Sequence, residues 1–260
     1  MIICADDFGM APDINEAITE LARLQRISAV SVMAALPGLD RSSLAPLLAL
    51  EKKIDLGLHL VFTSANALAD GGRLPSFGQL MMDCWLGRFP LELAQKEIAA
   101  QYDVFTSLAG RAPDFIDGHM HVQQFPVIRQ ALVAFIRAMD GEKPYVRNSH
   151  VPFGRIASIG VSPLKTLSIS LPGGWMKRTL IGCGIDTNDG FAGIYDFSQS
   201  DHYPEYLTRF TAGPVANSML LMTHPGKEEK WRLAEYEALL NAEWITALAT
   251  RFPRPIQERS

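Results

Sequence analysis

Residues 1–9 read MIICADDFG, an apolar strand that runs directly into two carboxylates, a phenylalanine and a glycine. Three later apolar runs also end in polar side chains, at residues 58–60 (LHL), 117–121 (DGHMH) and 223–226 (THPG). Between these runs lie longer stretches in which apolar residues recur with the period of a helix. Strands that alternate with helices predict a parallel sheet with helices packed on it.

About six or seven strand–helix units fit into the 260 residues, which is the size of a closed or partly closed (β/α) barrel. We therefore predict an α/β protein with a single (β/α)-barrel-like domain over residues 1–260. The barrel is expected to have seven strands or a distorted shape. Glycine and proline recur in residues 61–90 and 150–200, so we expect two long loop excursions there.

The composition excludes several classes of protein. With 48% hydrophobic and 20% charged residues, the chain is typical of a folded globular protein. Its net charge of −4 and its lack of a basic stripe argue against nucleic acid as a partner. Cys4, Cys84 and Cys183 form no CxxC pair, which predicts reduced thiols in a reducing compartment. No apolar run reaches membrane-spanning length and no signal-peptide pattern is present, so we expect a cytoplasmic protein without a membrane partner.

The polar residues that could carry chemistry fall at the carboxyl ends of predicted strands. This is the edge where (β/α) barrels keep their active sites. Side chains scattered at random along a chain would rarely all land there. The residues are Asp6, Asp7, His59, Asp117, His119, His121 and His224.

The two carboxylates of the first strand are the first candidates. Neighbouring residues of a strand point to opposite faces, so Asp6 and Asp7 can face one site only where the strand ends and turns. Residues 8–9 are predicted to supply that turn. One carboxylate could then bind a cation while the other stands beside it as a base. Alternatively, both could satisfy backbone N–H groups of a turn.

The histidines allow similar alternatives. His59 lies between leucines, where a lone histidine is more often a satisfied core residue than a ligand. Asp117, His119 and His121 follow each other at i,i+2 spacing in a predicted strand over residues 115–122, which places them on one strand face. One or two members of such a column can reach a single ion. Asp117 and His121 are equally consistent with a hydrogen-bonded column beneath the site.

This inventory suits the hydrolysis of an amide. One carboxylate and two imidazoles leave metal positions open for water and substrate, and a bound cation lowers the pKa of water to about 7. Asp6 could take the proton of that water. His224, on a loop before a proline and a glycine, could protonate the departing amine, or it could have no task there. Phosphoester cleavage fits less well, because no cluster of arginine and lysine awaits a phosphate.

These motifs resemble those of the YdjC-like carbohydrate deacetylase family, which includes chito-oligosaccharide deacetylases and hopanoid-associated relatives. The matching pieces follow the family order and span nearly the whole chain. They are residues 5–9 with Asn15, residues 57–60, residues 117–122 and residues 224–226.

The resemblance implies a barrel-like β/α fold, one divalent metal ion and the removal of acetyl groups from N-acetylated sugars. By similarity, the metal ligands are Asp7, His59 and His119. The family is associated with magnesium, whereas two imidazoles and one carboxylate favour zinc, manganese or cobalt.

The resemblance also implies roles for residues around the metal. By similarity, Asp6 is the general base and His224 is the acid or a substrate contact. Arg147 matches a basic family position near the site, where it would steady the oxyanion or orient Asp6. His121 and Asp117 are secondary candidates for the site.

Two rival functions stay open at this point. One is another metal-dependent barrel reaction, catalysed by a phosphoesterase or a sugar isomerase. A phosphate site would call for a glycine-rich turn or a helix N-terminus beside basic residues, which we do not find in the sequence. The other rival is a non-catalytic sugar-binding protein that retains the pocket. The expected partner is a small N-acetylated saccharide, and a homodimer is compatible with the sequence.

Overall fold

The computed structural model describes residues 1–63, 65–213 and 218–253. Its seven strands pair in parallel in one sheet. They are β1 (Ile2–Phe8), β2 (Ala29–Val32), β3 (Asp55–Leu60), β4 (Phe115–Gly118), β5 (Tyr145–Val146), β6 (Gly190–Ala192) and β7 (Met219–Thr223). Their order in the sheet is β5-β4-β3-β2-β1-β7-β6. The predicted α/β, barrel-like fold with seven strands is therefore confirmed. A single domain over residues 1–260 stays a prediction.

Helices cover the outer face of this sheet. The α-helices of the described ranges are α1 (Pro12–Arg23), α2 (Arg41–Leu48), α3 (Phe77–Trp85), α4 (Leu91–Ala109), α5 (Pro126–Ala138), α6 (Phe153–Ile159), α7 (Pro163–Gly182), α8 (Tyr203–Thr211) and α9 (Lys230–Asn241). Three 3-10 helices add to them, at His119–Gln124, Phe197–His202 and Glu243–Ala247. Within the ranges that the structure covers, no helix is both long enough and apolar enough to cross a bilayer.

The strands bury their two faces in two separate apolar clusters. Ile3 and Ala5 of β1 pack with the helices in the larger cluster. Ile2 and Cys4 belong to the smaller cluster, in which side chains of β4, β6 and β7 meet inside the curled sheet. Because side chains alternate along a strand, Asp6 continues the inward row of Ile2 and Cys4. Asp6 thus places a carboxylate in the barrel interior, near the carboxyl ends of the strands.

Asparagine side chains hold the sheet edges together where strand pairing is minimal. Only one parallel bridge, between Val146 and Thr187, links β5 to the segment before β6. Beyond it, the Asn148 backbone N–H donates to Asn188 Oδ1 (2.9 Å), and Asn188 Nδ2 donates to the Asn148 carbonyl (2.9 Å). Both asparagines are fully buried. Side-chain amides therefore replace the missing rungs of the β ladder.

The two excursions are not loops throughout. The first contains α3, and the second contains α6, α7 and β6. The prediction of loops is wrong in these parts because several of the proline and glycine residues that suggested loops lie within helices. Pro163 occupies the first turn of α7, where a missing N–H costs nothing, although Pro172 lies inside the same helix. Gly173 lets α7 approach the chain closely, since an added Cβ would lie 2.6 Å from the Ser149 carbonyl carbon.

The predicted strand over residues 115–122 is also wrong in its second half. β4 ends at Gly118, and the chain then turns through left-handed conformations at Met120 (φ 55°) and His121 (φ 60°). His119 and His121 therefore do not form a column with Asp117 on one strand face. His119 and His121 reach the barrel mouth through a tight turn instead.

We expect loss of the hydrogen bonds between Asn148 and Asn188 to destabilise the fold. Asn188→Ala removes the side-chain bonds to Asn148 and leaves buried donors and acceptors without partners, which should lower the free energy of unfolding by about 1–3 kcal/mol. Urea titration followed by circular dichroism measures the change. Asn241→Ala, at the exposed end of α9, is the matched control and should change stability little. Equal stability of both variants would contradict this account of the sheet closure.

Candidate active site

The first strand has a bulge-like irregularity at Asp7, one residue before it ends at Phe8. Asp7 has a left-handed φ of 71°, and the pairing with β2 shifts register between Ala5 and Phe8. Aspartate is one of the few residues that tolerate this region. With this irregularity, both Asp6 and Asp7 line the same pocket. The turn predicted at residues 8–9 follows directly: the Met10 N–H donates to the Asp7 carbonyl at 3.0 Å, and Gly9 has a φ of 101°.

Three side chains remote in sequence meet at the barrel mouth. His119 Nδ1 lies 3.0 Å from Asp7 Oδ1, and His59 Nε2 lies 3.5 Å from the same oxygen. One donor atom from each residue lies within 4.8 Å of the others, so the group could hold a metal ion. Two imidazole nitrogens and one carboxylate oxygen are a donor set typical of zinc and its neighbours.

His59 is oriented by a carboxylate behind it. In the register of the sheet it lies opposite Asp117, whose Oδ1 is 2.6 Å from His59 Nδ1. The Ser31 hydroxyl lies 2.9 Å from Nδ1 and also donates to Asp117. This arrangement leaves His59 Nε2 for the group of three, as in the carboxylate–histidine pairs that support many metal ligands. Burial opposes a charge on the ring, but Asp117 and Asp7 raise the pKa of His59 to about 10.

Arg147 anchors Asp6 from inside the barrel. Its Nη1 and Nη2 donate to the two carboxylate oxygens of Asp6 at 2.7 and 2.8 Å, and Nη1 also lies 2.9 Å from Asp117 Oδ2. Burial by itself raises the pKa of Asp6, but the guanidinium outweighs it and lowers that pKa to about 2. Because Asp6 occupies both amino groups, the geometry favours Arg147 as the residue that orients Asp6 rather than as an oxyanion contact.

His224 faces Asp6 across the pocket. Its Nε2 lies 4.0 Å from Asp6 Oδ2, and its Nδ1 lies 3.7 Å from Glu235 Oε1. Glu235 also accepts the His224 backbone N–H (2.6 Å) and the Tyr195 hydroxyl (2.8 Å). Burial lowers the pKa of His224, but Glu235, Asp7 and Asp6 together raise it above its ordinary value. An imidazolium at this position can donate a proton into the pocket.

A second arginine binds the other oxygen of Asp7. Arg232 Nη2 donates to Asp7 Oδ2 at 2.7 Å, while Arg232 Nε donates to Glu229 at 2.8 Å. Asp7 Oδ1 therefore remains for the two histidines. Arg232 and Glu235 were not predicted as site residues, because they lie in a helix with many charged residues. The only signal was their position just after the THPG motif, and nothing in the sequence distinguishes them from their charged neighbours.

The secondary candidates lie beside the group of three. Asp117 stands behind His59, as described above. His121 lines the pocket but pairs through Nδ1 with the Ser149 hydroxyl at 3.0 Å, and its ring meets the edge of Phe191. Burial, reinforced by the Arg147 charge, lowers the pKa of His121 to about 3. His121 is therefore a neutral group in the pocket wall.

The excursions build the walls of a pocket of about 660 Å³ above these residues. Phe77 and Trp85 of α3 line one side, and Ile169 of α7 lines another. Among the other aromatic residues of the two excursions, Tyr195 also lines the pocket, whereas Phe89 and Phe191 pack in the core. The site thus combines a charged floor with largely apolar walls.

The fold and site define an α/β-barrel protein with an Asp–His–His group at the carboxyl ends of its strands. The family model of YdjC-like proteins matches residues 1–250, so the chain belongs to the YdjC-like family, as the motifs suggested. Its sequence is similar to a chitooligosaccharide deacetylase of Escherichia fergusonii, with 32% identity over 139 residues, and to one of Klebsiella pneumoniae strain 342, with 30% identity over 141 residues.

These alignments cover 52% and 53% of this chain, and 54% and 55% of the relatives. The chain thus spans about half the length of the curated relatives it matches. A solved structure from Enterococcus faecalis V583, named provisionally as a cellobiose-phosphate cleavage protein, shares the fold with a TM-score of 0.63. Its identity to this chain is 18%, with 93% of this chain and 90% of that chain covered.

The carboxylate behind His59 is expected to support this residue as a candidate metal ligand. Asp117→Asn removes the charge that orients His59, and we expect a dissociation constant for Zn²⁺ about 10–100 times higher. Competition with a chelating dye measures that constant. Asp103→Asn, on the exposed face of α4, is the control.

Asp117 also contacts Arg147, so circular dichroism must first show that the Asp117→Asn variant is folded. Ser31→Ala provides a second route, because it removes the other partner of His59 Nδ1 and leaves Arg147 untouched. An unchanged Zn²⁺ affinity in both variants would contradict the proposed support of His59.

Proposed function

We propose that this protein is a metal-dependent hydrolase that removes acetyl groups from N-acetylated sugars of the chito-oligosaccharide type. Membership of the YdjC-like family supports this proposal, as do the two relatives named chitooligosaccharide deacetylase. We propose the cytoplasm as its compartment, because all three cysteines are free thiols. The substrate would be a small saccharide that enters the pocket described above.

The observation that carries the proposal is the pairing of Asp6 and His224 beside the Asp–His–His group. Amide hydrolysis needs one group that accepts a proton from water and another that gives a proton to the departing amine. Asp6 Oδ2 and His224 Nε2 face each other at 4.0 Å, and the group that could hold a cation borders both. Such a site can serve both proton transfers.

Asp7, His59 and His119 would hold the divalent cation. When bound, this ion supplies a Lewis acid that polarises the acetyl carbonyl and acidifies the attacking water. The donor set fits zinc, manganese or cobalt better than magnesium, which prefers oxygen ligands and keeps several waters. Arg232 binds Asp7 Oδ2, so Asp7 Oδ1 is the oxygen that would be available to hold the ion.

Asp6 would accept the proton of the attacking water. Arg147 fixes both carboxylate oxygens and keeps Asp6 from swinging toward the metal ligands. The same contact makes Asp6 a weak base, so it can act only on a water that has already become acidic. This requirement is one physical reason for expecting a cation in the site.

His224 would protonate the leaving amine. Glu235 holds its backbone N–H and lies 3.7 Å from its Nδ1, which directs Nε2 into the pocket. Phe197 and Trp231 pack against the edges of the imidazole and limit its access to water. A proton on Nε2 is thereby directed to the substrate rather than to solvent.

The basic groups of the pocket argue against a phosphoester substrate. Arg147 and Arg232 are paired with Asp6 and Asp7, and Lys165 Nζ donates to the Tyr195 carbonyl at 2.7 Å. A phosphate would have to displace one of these contacts. A neutral amide substrate needs no free arginine or lysine side chain to bind it.

Asp6→Asn should abolish most of the deacetylase activity. The variant keeps the shape of the side chain but removes the proton acceptor, so we expect the rate of acetate release from N-acetylglucosamine oligomers to fall about 10²–10⁴-fold. Asp201→Asn, which changes an exposed aspartate, is the control and should retain activity.

A chelator should stop acetate release by the wild-type protein, and added Zn²⁺, Mn²⁺, Co²⁺ or Mg²⁺ should restore it. No release with any of these ions would favour the non-catalytic sugar-binding alternative.

His224→Gln should slow substrate cleavage to an extent that depends on the leaving group. Amide cleavage needs a proton on the amine, so we expect its kcat to fall about 100-fold. The ester 4-nitrophenyl acetate releases a stable anion and should lose much less activity. His202→Gln, which changes an exposed histidine, is the matched control. Equal losses on amide and ester would remove His224 from the role of acid.

A further inference from the structure

Helix α7 exposes an apolar stripe although its other face is already buried. Leu164, Leu171 and Trp175 follow each other at i, i+7 and i+11, and their exposed fractions are 83%, 58% and 43%. The opposite side of the helix packs Gly173 and Leu180 into the protein. A surface helix normally has a polar outer face, so a helix that is apolar on both sides calls for a further partner.

Helix α3 continues this apolar surface. The Trp85 and Trp175 rings lie 5.4 Å apart, and they join the exposed side of α3 to the stripe of α7. Contiguous apolar surfaces of this kind mark interaction sites on folded proteins. We name this surface the α3–α7 rim. It consists of Met81, Met82, Trp85, Leu86, Leu164, Leu171 and Trp175.

The segments that carry the rim are basic in a protein that is acidic as a whole, although the Lys165 ammonium donates to the Tyr195 carbonyl in the pocket. Residues 77–88 and 163–182 together contain four basic side chains, Arg88, Lys165, Lys177 and Arg178, and a single acidic one, Asp83. The net charge of the chain is −4. Arg178 lies one turn beyond Trp175 on the same stripe. Tryptophan and leucine flanked by lysine and arginine are typical of surfaces that lie on a membrane.

The rim also borders the pocket entrance. Met81 and Trp85 line the pocket from α3, and Ser168 and Pro172 line it from α7. A surface that covered the rim would therefore lie directly over the mouth of the site.

We propose that the α3–α7 rim docks on the surface of a bilayer that contains anionic phospholipid. A second copy of the chain fits the rim less well, because a twofold axis would place the basic α7 helices against each other. An anionic bilayer satisfies both the apolar stripe and the positive charge. No membrane partner was expected from the sequence, because no apolar run is long enough to span a bilayer. A helix that lies on the interface needs no such run.

The proposal concerns a surface outside the catalytic group and does not rest on the proposed function. The test is sedimentation of the full chain with large unilamellar vesicles of phosphatidylcholine alone, or with about 30% phosphatidylglycerol. We expect the wild-type chain to sediment with the anionic vesicles. Added salt should weaken the binding, because charges at the surface are screened. Neutral vesicles should retain less protein.

Paired variants test whether the rim is responsible. Leu171→Ser with Trp175→Ser should lower the vesicle partition coefficient about tenfold or more, because both side chains lose burial in the interface. Trp244→Ser, a similarly exposed tryptophan outside the rim, is the control. Arg178→Glu should weaken binding to anionic vesicles, whereas Arg23→Glu, which makes the same charge change on α1, should not. All these positions are at the surface, and thermal unfolding checks that each variant is folded.

Three outcomes would overturn the proposal. The first is no sedimentation of the wild-type chain with anionic vesicles at low salt. The second is equal binding by the rim variants and their controls. The third is light scattering that shows a dimer which the rim variants dissociate, with no change in vesicle binding, since the rim would then be an interface between copies. Asp6→Asn, once thermal unfolding shows that it is folded, should bind vesicles like the wild type, so a failure of docking can be told apart from a failure of the hydrolase proposal.

Discussion

The buried guanidinium of Arg147 is the constraint on which the rest of the site depends. It lies inside the barrel, where an unpaired charge would be very costly, and it is compensated by Asp6 and Asp117. Removal of one partner of such a buried pair typically costs about 3–5 kcal/mol. Since Asp117 also holds His59, the same charge balance connects the ends of β1, β3, β4 and β5. The position of each reactive side chain is therefore tied to the electrostatics of the barrel interior.

Helix α9 provides the second layer of this arrangement. Arg232 and Glu235 lie one turn apart on its buried side and bind Asp7 and His224, respectively. One helix thus restrains both a candidate metal ligand and the candidate acid. Tyr195 completes the layer by donating to Glu235. The precision of the site depends on how α9 docks as well as on the strands themselves.

Access to the site is decided by the two excursions. Their helices α3 and α7 raise apolar walls over a charged floor, and they meet at Trp85 and Trp175 above the mouth. The strands of the sheet position the chemistry, whereas the excursions decide what can approach it. This division is common in barrel enzymes, where a rigid scaffold carries variable connecting segments.

The sequence by itself determined the strand–helix alternation and the polar side chains at the strand ends. It could do so because both are local patterns, and because parallel strands bring their carboxyl ends to one edge. The sequence therefore predicts that Asp6, Asp7, His59, His119 and His224 lie at one edge of the sheet. Their family resemblance followed from the same local motifs.

Only the tertiary structure decided which partners these side chains have. Arg232 reaches Asp7 across 225 positions, and Arg147 reaches Asp6 across 141, so no local pattern could reveal either pair. The helices of the excursions escaped prediction for a related reason. Proline and glycine indicate loops locally, but close packing of α7 on the chain near Ser149 makes Gly173 favourable in a helix. Contacts between distant segments, rather than local propensity, set these parts of the molecule.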